Sequence, residues 1–164
     1  MTTDDDELFI LPGSRVVAFP EHAAEALLSV IEAACESRTD FVEKVESALH
    51  ASLVFLAADP SSARLLTVEP YAAGGDAVRR HQYWLQRYGA LLRAASGCEP
   101  KVPAHPDFVE PMIVAGIGWQ ISRRVLTPRV EELEQLLPDL LEFILVFYLD
   151  PIEVRRVVNE IRPS

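Results

Sequence analysis

A chain of 164 residues that is 49% hydrophobic and holds only seven glycines is long enough to close one core without staples, and too short to hide a second domain. Its 25 acidic residues against 15 basic ones leave a formal charge of −10, which repels phosphate backbones and makes the chain a poor nucleic-acid binder. Two cysteines, Cys35 and Cys98, share no disulfide or zinc-ligand spacing, so a reduced, cytoplasmic protein without cofactor or metal is expected.

Residues 1–20 read as an acidic tail followed by a hairpin. Asp4-Asp5-Asp6-Glu7 is acidic where a signal peptide would be basic. Two short β-prone runs, Leu8 to Leu11 and Arg15 to Phe19, flank a Pro12-Gly13 turn. A lone hairpin is marginal in water, so this one is expected to lie against helices.

From residue 21 to residue 164 the period is helical and the fold class is all-α. Ala24, Leu27, Leu28, Ile31, Ala34 and Cys35 form one stripe. Asp40 with Glu43 opens a second helix, whose apolar face runs Phe41, Val45, Ala48, Leu49, Ser52, Leu53 and Leu56. Asp59-Pro60 closes that helix and caps a third, which Pro70 should kink or end. Gly74-Gly75-Asp76 leads into a long helix to about Ala95 with the stripe Ala77, His81, Trp84, Leu85, Tyr88, Leu91 and Leu92. Three prolines between Ser96 and Pro106 make the one real loop. Asp107 and Glu110 are expected to cap the next helix, Pro138 to start the last long one, and Asp150-Pro151 to start a short terminal one.

The most apolar segments lie between Asp107 and Leu149. Met112 to Trp119 carries no polar side chain over two turns, and Phe143 to Leu149 is apolar all round. Neither reaches the ~20 apolar residues of a membrane span. Ala115, Gly118 and Ser122 share one side of a helix with Gly116 beside them, and a helix-interior glycine costs roughly 1 kcal/mol relative to alanine. Such a side suits the close approach of another backbone. Either tight packing within one chain or a seam between two copies accounts for it.

The order of these pieces resembles the C-terminal, ligand-binding and dimerisation domain of tetracycline-repressor-like (TetR) transcription regulators. The resemblance is carried by Phe55-Leu56-Ala57-Ala58-Asp59-Pro60, Ala63 to Glu69, and Ala72-Ala73-Gly74 with Arg79-Arg80 following. Gly116 to Arg124, Glu132-Leu133, Leu136 to Leu141 and Tyr148-Leu149 continue it, so that it spans roughly Phe19 to Leu149. It implies an all-α regulatory bundle without catalysis, dimerising as a four-helix bundle through Val109 to Leu126 and Pro138 to Leu149. The interface residues would be Ala115, Gly116, Gly118, Ser122, Leu140, Leu141, Ile144, Phe147 and Tyr148. It also implies a pocket for a small apolar or amphipathic effector, for which Tyr71, His81, Trp84, Tyr88, Trp119 and Gln120 combine apolar bodies with polar tips, with Phe55 and Met112 as walls. Each of these has an ordinary alternative as core or solvated surface.

The departure from the family is at the start. Only some twenty residues, acidic at the start and then hairpin-like, stand where family members carry a helix-turn-helix, so DNA binding is not carried over. The expected role is a headless, homodimeric ligand sensor, with two alternatives. One is an interaction module that pairs with a full-length regulator and weakens its grip on DNA; the other is one piece of a longer regulator. No enzyme is expected: there is no Glu-x-x-His, no Gly-rich phosphate loop and no Gly-x-Ser-x-Gly elbow.

Overall fold

Aspartate side chains set three of the helix starts in the computed structural model, which describes residues 20–71, 75–97, 105–127 and 130–162. Helix α1 runs Glu21–Cys35. Helix α2 runs Phe41–Ala58, and the Asp40 carboxylate accepts the Glu43 N–H at its start. Asp59 does the same for α3, Pro60–Thr67, accepting from the N–H groups of Ser61 and Ser62. Proline at the first helical position adds a fixed φ and lacks only a donor that would be unpaired there. Pro70 turns the chain through a short 3₁₀ stretch, Glu69–Tyr71, into α4, Gly75–Ser96. Helix α5 is Val109–Val125; a 3₁₀ segment, Val130–Leu136, leads into α6, Leu137–Leu145, and α7, Pro151–Ile161, is capped by Asp150.

All the regular structure among the described residues is helical, as the hydrophobic periodicity requires. The expected hairpin and Cys98 lie outside those residues. No helix in the described part is long and apolar enough to cross a membrane.

Helix α2 is the centre of the bundle. It packs on α1, α3, α4, α6 and the second 3₁₀ segment, burying Phe41, Val45, Leu49, Leu53 and Leu56 at the spacing of one helical face. Leu133, Leu140, Leu141 and Leu145 close the core from below, and Val158 of α7 is buried among them. Fully burying a leucine contributes about 1.5–3 kcal/mol, so this cluster dominates stability.

Two helices differ from expectation, one at its start and one at its end. Neither Asp107 nor Glu110 caps α5; the cap position is Phe108, with no side-chain hydrogen bond. Glu110 is buried instead and pairs with Arg93 of α4, which also holds Asp107. A buried carboxylate needs a cation more than a helix end needs an acceptor, and Arg93 is within reach. The last long helix is also shorter than expected: α6 stops at Leu145, and residues 146–149 continue as turns.

A candidate ligand cavity and an apolar outer face

Side-chain hydrogen bonds link α1 to α4. Glu21 at the start of α1 accepts from Arg80 at 2.6 Å and from the indole Nε1–H of Trp84 at 2.7 Å. The hydrogen bonds from Arg80 and Trp84 hold the Glu21 carboxyl below its ordinary range, the Arg80 bond being the larger cause and burial opposing both. One turn further on, the Tyr88 hydroxyl donates to the Ala24 carbonyl at 2.9 Å, and burial pushes its pKa upward. Between these struts, α2, α3 and α5 lies a cavity of about 170 Å³. An apolar cavity near 150 Å³ holds a benzene-sized guest, so this one has room for a small organic molecule.

Its wall is overwhelmingly aliphatic: Leu27 and Ile31 from α1, Leu49 and Leu53 from α2, Leu85 and Leu92 from α4, with Val114, Ile117 and Ile121 from α5. The polar groups on it are mostly turned back on the backbone. Ser52 donates to the Ala48 carbonyl at 2.7 Å and Thr67 to the Ala63 carbonyl at 2.8 Å. The Cys35 thiol points at the Lys44 carbonyl at 3.5 Å, and burial pushes its pKa up, favouring the protonated thiol on the wall. His81 is buried on the wall, and burial lowers its pKa, favouring the neutral imidazole.

Of the eight residues expected to line a pocket, the structure brings His81 and Tyr88 to this cavity. Trp84 is buried beside it, committed to Glu21, and Phe55 packs into the core elsewhere. The side chain of Tyr71 lies outside the described residues. Met112, Trp119 and Gln120 are on the exposed side of α5. Sequence reasoning missed the α1 and α2 walls and Lys44. A signal existed: Ala48 and Ser52, one turn apart on a stripe of leucines, leave side-chain volume unfilled.

The expected interface residues divide similarly. Leu140, Leu141, Ile144 and Tyr148 are buried within the single chain, where the Tyr148 ring meets Phe41 at 5.0 Å and His105 at 5.1 Å. Phe147 packs edge-on against Phe143. Gly116 is also an internal contact, since a Cβ there would sit 2.8 Å from the Phe143 ring. Gly118 borders the cavity, with nothing within 4 Å of where its Cβ would be.

Ala115 and Ser122 belong to a different pattern. Phe108, Met112, Ala115, Trp119, Ser122 and Leu126 follow one another at alternating steps of four and three along α5, on the side opposite Ile113, Ile117 and Ile121. The four large members are 66, 49, 58 and 59% exposed. Arg123 covers part of this stripe, its guanidinium 5.0 Å from the Trp119 ring centre.

Among the described residues, no three His, Cys, Asp or Glu side chains are grouped to hold a metal ion. Comparison of the chain with family models, with curated proteins and with solved structures gives no match in any of the three.

Proposed function

We propose that the chain is a non-catalytic regulatory domain of the tetracycline-repressor type, which binds a small apolar or amphipathic ligand between α1 and α5 and pairs with a second copy through the outer face of α5. The observation that carries the ligand half is the aliphatic cavity of about 170 Å³. Close-packed interiors leave few gaps larger than a water molecule, and the aliphatic side chains that line a gap of this size lack dispersion partners across it. A ligand restores them. The Glu21 and Tyr88 hydrogen bonds fix α1 against α4 beside the cavity, which supports its being a built feature of the fold.

The pairing half is supported by the stripe from Phe108 to Leu126. Large apolar side chains at coiled-coil spacing, with small Ala115 and Ser122 between them, suit a second helix whose own large residues fill those gaps. The same stripe suits the rival role, pairing with a different regulator of the same type. DNA contact is not part of the proposal, because a charge of −10 opposes it.

The test is calorimetric titration with toluene, on the protein and on Ser52→Phe, which places a ring in the cavity. Saturable binding with a raised melting temperature, both absent from a folded Ser52→Phe, is the expected result. Equal binding to both proteins, or none to either, contradicts the ligand reading.

A further inference from the structure

Lys44 stands on the cavity wall, at the end where α1 stops and α2 begins. It is half-buried and forms no ion pair among the described residues. Arg38, Arg87, Arg123 and Arg155 also form no ion pair among the described residues, so what singles Lys44 out is its place as the one lysine or arginine on the cavity wall. Its charge is felt at the wall, where it acts on the Cys35 thiol in opposition to burial. Meanwhile Ser52, Thr67 and Tyr88 have already given their hydroxyl protons to backbone carbonyls. The cavity therefore offers an apolar body-shaped space and, at one end, a lysine with no ion pair among the described residues.

We infer that the ligand is an amphipathic carboxylate, with an apolar body of about six to eight carbons among Leu49, Leu53, Leu85 and Ile117 and its carboxylate on the Lys44 ammonium. This rests on the ligand-binding reading above and adds the charge of the head group to it. A neutral or cationic head would leave Lys44 unpaired or repel it, so the site discriminates by charge as well as by size.

The experiment titrates octanoate, octanol and octylamine into the protein and into Lys44→Met, which keeps the side-chain stem and removes the charge. Octanoate binds the wild-type protein best, weakens about tenfold or more in Lys44→Met, and weakens with added salt, while octanol is indifferent to both. Octanol binding to Lys44→Met also shows that the variant is folded. If octanol binds both proteins but octanoate is not preferred, or its affinity ignores the substitution, the carboxylate inference is overturned and the cavity reading survives. If none of the three binds, both are overturned.

Discussion

Three glycines show what single residues decide in this fold, and why spacing alone could not separate them. A Cβ on Gly89 would sit 2.9 Å from the backbone nitrogen of Pro111, which has nowhere to go, whereas on Gly116 it would meet the far end of the Phe143 side chain, and on Gly118 nothing. Alanine gains roughly 1 kcal/mol of helix propensity at each site, and overpacking costs about 1–3 kcal/mol where the neighbour cannot yield. Denaturant titration should therefore rank Gly118→Ala above wild type by up to about 1 kcal/mol, Gly116→Ala near it, and Gly89→Ala below it by about 1–2 kcal/mol. A neutral Gly89→Ala would contradict the close α4–α5 approach. His81 supplies the residue-scale pH dependence. Burial lowers its folded pKa below the ordinary 6.5, so the unfolded chain takes up the proton first. Its contribution to stability is complete above that value and is lost as pH falls toward the folded pKa. Denaturation midpoints between neutral pH and pH 5 should fall less steeply in His81→Gln than in the wild-type protein; equal slopes would show that His81 is not held neutral.

At the scale of the elements, the caps of α2, α3 and α7 and the apolar stripes of α1, α2 and α4 were legible, because each of those starts has an aspartate signature and each of those faces has a 3.6-residue period. What the sequence could not show was which apolar face meets which neighbour. Phe143 to Leu149 reads as apolar all round, and most of it is consumed inside the chain by α2 and α7, leaving Val146 exposed. Met112 and Trp119 read as pocket lining for their side-chain type, one as a wall and the other as an apolar body with a polar tip, yet they lie on the exposed side of α5. The contact between α4 and α5 was hidden for another reason: it depends on a charge pair 17 residues apart, Arg93 with Glu110. Glu110 is 2% exposed, and removing its cation leaves a buried charge uncompensated. Arg93→Met should lower the denaturation midpoint more than the double replacement Arg93→Met with Glu110→Gln. A double variant no better than the single one would show that Glu110 does not need its partner.

In the whole molecule, α5 faces two ways. Its inner side closes the cavity through Val114, Ile117 and Ile121, and its outer side carries the exposed stripe from Phe108 to Leu126. A ligand that shifts the inner side moves the outer one, since a helix transmits displacement as a rigid element. That coupling requires the stripe to be an interface. The most direct measurement is the solution mass by light scattering of the wild-type protein and of Trp119→Glu, which sets a charge at the middle of the stripe while Trp84 stays in the core. The account predicts twice the 18.3 kDa chain mass at micromolar concentration, falling to the single-chain mass in a Trp119→Glu protein that keeps its helical signal. A wild-type protein that remains a monomer across that range, or a dimer indifferent to the substitution, would contradict it.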